Sequence, residues 1–286
     1  RSALPADAFM TLSFNPAALS EKSNAGAFAD SELFARINEE LAGVESLSAE
    51  QKEYYLSLLK NPAETGVDMD RDSYMFFTLE GENSAQPTGR GGLLLPLADR
   101  AKFDAFIAQV NAVSGLEVEQ SGTISYVRVG EQSDVSVVCA FNEAACMLFV
   151  SQENPEECLS RVKDLFAQKT DKSLIGNRAI AERLAGKNDI NVVLSYAALM
   201  PMLKSNPMVA AMPAMEALGG VSLLGSMNFE KGRIVVDGAM AFADDAAKAK
   251  LEELYGYVEP QTGKLLRYLP AQSIAAMGMG LNGGKL

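Results

Sequence analysis

Two apolar runs, Val221 to Phe229 and Arg233 to Phe242, are separated by only Glu230-Lys231-Gly232. Strands joined by so short a link must pair side by side and antiparallel, because a parallel return needs a crossover of a dozen residues or more. The runs Asp134 to Phe141 and Cys146 to Ser151, linked by Asn142-Glu143-Ala144-Ala145, impose the same geometry. Helical segments lie between such pairs. Asn15-Pro16 places proline where a first helical turn accepts it. Asp30 is the expected cap of a helix carrying Leu33, Phe34, Ile37 and Leu41 on one face. Ser48 with Gln51 reads as a capping box for a helix ending near Lys60, before Asn61-Pro62. Asp99 caps a further helix that stops at Ser114-Gly115, and Asn154-Pro155-Glu156-Glu157 has the cap, proline and first-turn acids of another start. Arg178 to Ala185 and Ala246 to Tyr255 are helical too. Gly89-Arg90-Gly91-Gly92 precedes the apolar run Leu93 to Leu97 and reads as a loop closing a hairpin with the strand Tyr74 to Leu79. A phosphate cradle would need a helix after the glycines, so that reading is set aside.

The expected fold is therefore α+β, with mostly antiparallel sheets flanked by helices. Part of the chain also repeats. Leu4-Pro5-Ala6 before an apolar run returns as Leu269-Pro270-Ala271, and Asp189 to Leu199 echoes Asp7 to Leu19 if two residues are dropped after the aromatic. The expectation is a duplicated strand-helix-hairpin-helix unit: residues 1-170 as the first unit, 171-268 as a shorter second, and 269-286 as the start of a further copy. Arg1 is not an initiator methionine, and the third copy stops at Leu286, so both ends read as trimmed.

Chemistry is narrowed more by what is missing than by what is present. The 286 residues contain no histidine, which removes Ser-His and Cys-His nucleophile pairs and His-ligated zinc. A net charge of -12 argues against nucleic acid as a partner, since phosphate binding needs a basic surface. No apolar run reaches the roughly 20 residues of a membrane span, so membrane contact is expected only through a lipid anchor outside this chain. The three cysteines, Cys139, Cys146 and Cys158, form no CxxC motif; Cys139 and Cys146 read as small buried hydrophobes, with a Cys146 to Cys158 disulfide left open. No cofactor is expected.

Two groups remain as candidate sites. Asp68, Asp70 and Asp72 alternate as in a calcium loop, but Ser73 stands where glycine is required and Leu79 where glutamate is, so a turn is favoured over a metal site. Met200, Met202, Met208, Met212 and Met215, interleaved with Pro201, Pro207 and Pro213, line short helices that fill an irregular core or form an adaptable binding face, core filling being favoured.

Leu4-Pro5-Ala6-Asp7, Leu19-Ser20-Glu21-Lys22-Ser23, Asn61-Pro62 with Gly66-Val67-Asp68, and Leu95-Pro96-Leu97 with Asp99 and Lys102-Phe103 together resemble a domain-of-unknown-function family (DUF4836-like) of Bacteroidetes envelope lipoproteins. The resemblance covers most of the chain. It implies a signal peptide and a lipidated cysteine upstream of Arg1, a periplasmic or cell-surface location, and no assigned catalytic residue. Function thus reads as a non-catalytic binding or scaffold module of the cell envelope, with an envelope protein or a glycan as partner. Two alternatives stand beside it: a hydrolase using Asp68, Asp70 and Asp72, and a carrier of an apolar ligand under Met200 to Met215.

Overall fold

The structure is a computed structural model that describes residues 1–80, 88–129, 135–210, 213–256, 258–259, 266–270, 280–282 and 284. In chain order the strands of the main sheet are β1 (Ala8–Phe14), β2 (Ser73–Glu80), β3 (Thr88–Pro96), β4 (Glu119–Ser121), β5 (Ile124–Val129), β6 (Ser136–Phe141), β7 (Ala145–Ser151), β8 (Ile190–Ser195), β9 (Val221–Glu230) and β10 (Arg233–Phe242). The helices are α1 (Pro16–Lys22), α2 (Glu32–Ala42), α3 (Ala49–Lys60), α4 (Arg100–Ser114), α5 (Pro155–Ala167), α6 (Arg178–Leu184), α7 (Tyr196–Lys204), α8 (Pro207–Ala210), α9 (Pro213–Leu218) and α10 (Asp245–Tyr255). A separate two-stranded piece pairs Val258–Glu259 with Gly280–Leu281.

All ten main strands join one sheet in the order β10-β9-β8-β1-β2-β3-β7-β6-β5-β4, and every pairing is antiparallel. The α+β class with an antiparallel sheet flanked by helices is what the sequence led one to expect. The register of the hairpin at Glu230 sets Arg233 opposite Glu230, so Lys231 and Gly232 alone form the turn. Gly232 takes a φ of 79°, the left-handed conformation that such turns demand and that glycine adopts without strain.

One face of the sheet carries the main core. Phe76, Phe149, Met147, Val138 and Val193 are fully or almost fully buried there, beneath Leu159, Val162 and Leu165 of α5, Ile180 and Leu184 of α6, and Leu4 of the N-terminal segment. Among the described residues, two smaller clusters lie on the opposite face, one toward each end of the sheet. At one, Phe103 and Ile107 of α4 pack on Val127, Phe141 and Cys146; at the other, Ala217 of α9 and Leu251 of α10 pack on Val221. Between them Met75 and Leu148 stay partly open, and along β10 Ile234 (61%) and Val236 (69%) are largely exposed.

Two details differ from the sequence expectation, and the cysteines keep the favoured reading of unpaired thiols. The glycines of Gly89-Arg90-Gly91-Gly92 lie inside β3 and not in a loop. Gly92 faces Phe76 across the ladder, and a Cβ there would fall 2.2 Å from the Phe76 ring, so the missing side chain is the space the ring fills. The cap of α2 is Ser31, whose Oγ accepts from Phe34 N at 3.1 Å, in place of Asp30. Cys146 has Cys139 as its sulfur neighbour, with Sγ atoms 3.6 Å apart on β7 and β6, while Cys158 lies on α5 and all three are free thiols. The hydrogen bond with the facing Cys139 thiol, and then burial, push the pKa of Cys146 well above the ordinary thiol value, which suits an inert core residue.

Candidate functional site

Antiparallel pairing brings alternate strand ends to one edge of the sheet. Phe14 at the end of β1 sits opposite Ser73 at the start of β2 and Ile190 at the start of β8; Pro96 at the end of β3 sits opposite Ala145 at the start of β7. The residues just beyond these ends converge. Asn15, Asp72, Tyr74, Pro96, Asn142, Asn188 and Asp189 line a cleft of about 880 Å³, together with Arg1, Asp70, Arg71 and Lys187. That volume lies within the range of small-molecule sites, about 300–1,000 Å³. Room exists because small residues form much of the wall: Ala3, Ala18, Ala144, Ala145, Ala185 and Gly186.

The polar groups of the wall are held by one another. Asn15 caps α1 by accepting from Ala18 N at 2.9 Å, and its Nδ2 donates to Asp70 O at 3.0 Å. Asp72 accepts from Arg1 Nη2 at 3.2 Å, and the Arg1 guanidinium also donates to the Tyr74 hydroxyl. Behind the cleft runs a chain of side-chain amides: Asn228 Nδ2 donates to Asn188 Oδ1 (2.9 Å), Asn188 Nδ2 to Asn191 Oδ1 (2.8 Å), and Asn191 Nδ2 to the buried Ser13 Oγ (3.0 Å). Asp189, whose side chain is 4% exposed, accepts from Lys22 Nζ at 2.7 Å and from Phe229 N at 2.6 Å. Satisfied networks of this kind are rigid, and a buried polar group left unpaired would be costly.

Burial raises the pKa of Tyr74, and the Arg1 contact opposes that shift without cancelling it. The folded chain thus holds this phenolic proton at a pH where the unfolded chain has lost it. The corresponding stability is fully present below the unfolded value of 10.0 and falls as pH rises through the folded one. A 295 nm absorbance titration, wild type minus Tyr74→Phe, is expected to isolate a phenol that ionises above the ordinary tyrosine range; a difference curve centred at the ordinary value would contradict this burial.

Of the aspartates singled out in sequence, Asp70 and Asp72 line the cleft and Asp68 does not. Asp68 instead closes a turn, its Oδ1 accepting from Asp70 N (3.1 Å) and Arg71 N (3.2 Å). Gly66 leads into that turn with a φ of 83°, packed so closely on Asp99 O and Phe103 N that no side chain fits. Among the described residues, no three Asp, Glu or Cys groups are placed to hold a metal ion. The methionines are dispersed. Met200 is buried, Met215 half-buried, Met202 and Met208 (83%) exposed, and none of these four lines the cleft; Met212 lies outside the described residues. Asn15, Tyr74, Asn142, Asn188 and Asp189 were not legible as site residues. Their common signal is position: each is polar and sits at or just beyond the end of an apolar strand.

Among the described residues no helix is long and apolar enough to cross a membrane. No curated protein matches the chain. Two solved structures of TP0453 are similar in outline. Crystal form I has 12% identity and a TM-score of 0.40, over 91% of this chain and 87% of that one. Crystal form III has 8% identity and a TM-score of 0.37, over 91% and 88%. At these scores the likeness supports no argument about this chain. The family model described as "Domain of unknown function (DUF4836)" matches residues 1–286, the full sequence, and the chain belongs to that family.

Proposed function

We propose that this domain is a non-catalytic binding module of the cell envelope, carried by a Bacteroidetes lipoprotein, and that it holds a glycan in the cleft at the sheet edge. One observation carries the reading: two carboxylates of the cleft wall, the half-buried Asp72 and the buried Asp189, are already engaged by protein donors. Asp72 is held by Arg1 and Asn15, and Asp189 by Lys22 and the Phe229 amide. Carboxylates so engaged build a rigid wall and are poor candidates for acid-base work on a substrate. A roomy concavity bordered by amides, guanidinium groups, an ammonium and carboxylates suits a hydroxyl-rich ligand better than an apolar one.

The binding test uses isothermal titration with soluble peptidoglycan fragments and neutral oligosaccharides, on wild type and on Ala144→Trp. Ala144 is exposed on the cleft wall, so its indole fills the space without entering the core. We expect binding by wild type and at least a tenfold (about 1.4 kcal/mol) loss in the variant. Absence of binding to every saccharide, or equal affinity in the variant, would remove the glycan reading. The anchor is tested separately by fractionating cells that express the full-length protein with its upstream cysteine intact or replaced by serine. Membrane association is expected only of the former.

The same reading includes a duplication, with residues 1-170 and 171-268 as related units and 269-286 opening a further one; residues 271–279 lie outside the described residues. It is supported at the β1–β8 seam. Aligning Asp7 on Asp189 sets Thr11 on Val193, and these two are ladder partners. The same alignment sets Met10 on Val192 and Leu12 on Leu194, and the pairs are Met10 with Leu194 and Leu12 with Val192, as a local two-fold axis requires. Outward from the seam the order is β1-β2-β3 on one side and β8-β9-β10 on the other.

A further inference from the structure

β10 ends the sheet, so one side of its ladder has no strand partner among the described residues. Edge strands invite pairing, and proteins commonly blunt them with proline, lysine, a bulge or short length. β10 has none of these. It spans ten residues, contains neither proline nor lysine, and pairs with β9 through an unbroken register from Arg233 to Phe242. Near the hairpin its side chains are open on both faces: Ile234 and Val236 on one, Arg233 and Asp237 on the other, the last two with side chains 71% and 64% exposed.

The charges on this edge are self-complementary. Arg233 and Asp237 point to the same face, flank Val235 symmetrically and have opposite sign. We propose that β10 pairs antiparallel with β10 of a second copy of this chain, with Val235 opposite Val235. In that register Arg233 of each copy faces Asp237 of the other, twice across the dyad. On the other face Ile234 meets Val236, again twice, so the most exposed apolar side chains of the strand cover one another. Opposite charges and apolar pairs directly across a ladder are both favourable. The new ion pairs also extend existing ones, because Arg233 already contacts Glu230 (2.6 Å) and Asp237 already accepts from Arg183 (3.0 Å). A row of alternating charge, Glu230–Arg233–Asp237–Arg183, would then cross the interface. Centring the pairing on Asp237 would set two carboxylates face to face, and centring it on Val236 would set Arg233 against Ala239. The product is a continuous sheet through two copies, an isologous interface that closes on itself. It lies at the far end of the sheet from β4 and does not depend on what occupies the cleft.

Two measurements test it on the full chain. Sedimentation equilibrium of the wild type is expected to give a reversible monomer–dimer equilibrium. Arg233→Asp and Asp237→Arg are each expected to weaken it at least tenfold, and the double swap Arg233→Asp/Asp237→Arg to return it to within about threefold of wild type. Thermal melts establish that each variant is folded. In the second measurement, Val235→Cys is expected to form a disulfide-linked dimer under mild oxidation, since Cβ atoms directly across a ladder lie about 4.5–5.5 Å apart. Ala239→Cys is the control: in this register its two copies are separated by roughly 26 Å, eight residues of strand. A wild type that stays monomeric to about 100 μM, a range in which weak specific dimers are visible, overturns the proposal. So do single swaps without effect, or equal cross-linking at 235 and 239.

Discussion

Truncating Phe76 to alanine is expected to lower the free energy of unfolding by about 3–5 kcal/mol, measured by urea denaturation. Phe76 is fully buried at the middle of the sheet, with its ring centroid 6.4 Å from that of Phe149. The space it occupies exists only because residue 92 is glycine, so the reverse change is costly too. A methyl group at Gly92 would sit 2.2 Å from the ring, and the ring cannot retreat into a core that is already filled. Gly92→Ala is therefore expected to cost about 3 kcal/mol, the upper end of ordinary overpacking. The two changes should not add. In a Phe76→Leu background the alanine gains room, and the double-mutant cycle is expected to show coupling of at least about 1 kcal/mol. Additive losses would mean that the ring and the glycine do not share that space.

The second large effect is expected at Asp189. Its side chain is buried at the cleft and links three elements: α1 through Lys22, β9 through the Phe229 amide, and its own strand start before β8. Replacing it with alanine leaves the Phe229 N–H and the Lys22 ammonium without their acceptor. Breaking a fully buried pair costs about 3–5 kcal/mol; Lys22 is 40% exposed and can rehydrate, so about 2–3 kcal/mol is expected here. Asp189→Asn keeps an acceptor for the amide and should lose about half as much. Amide hydrogen exchange adds a local readout. The Phe229 N–H should exchange faster in the alanine variant than in the asparagine variant, and equal exchange would contradict its pairing with the carboxylate.

These two positions also mark what sequence could and could not disclose. The hairpin around Lys231-Gly232 was legible because chain connectivity alone dictates antiparallel pairing over so short a link. Caps at Ser48, Asp99 and Asn154 were legible because capping is local. Gly89 to Gly92 were misplaced because glycine's usual meaning, a turn, was overridden by a tertiary partner: only the register with β2 reveals that Phe76 needs the space. Ser31 displaced Asp30 for a smaller reason, since either can cap and the choice of one residue depends on where the preceding turn ends. The cleft was not legible at all. Asn15, Asn142 and Asp189 are far apart in sequence and individually unremarkable; they become one site only when antiparallel strands bring their ends to the same edge. The aspartate run drew notice by its spacing, yet Asp68 proves to be a turn residue while Asp72 belongs to the wall.

The proposed binding site is the sheet-edge cleft. The most direct measurement is amide chemical-shift mapping of the isotopically labelled protein, titrated with the soluble peptidoglycan fragments and oligosaccharides used for calorimetry. The expected result is a compact set of shifts at Asn15, Asp72, Tyr74, Asn142 and Asn188, absent in Ala144→Trp. Shifts centred instead on Met200 to Met215 or on β10, or no shifts at all, would contradict it.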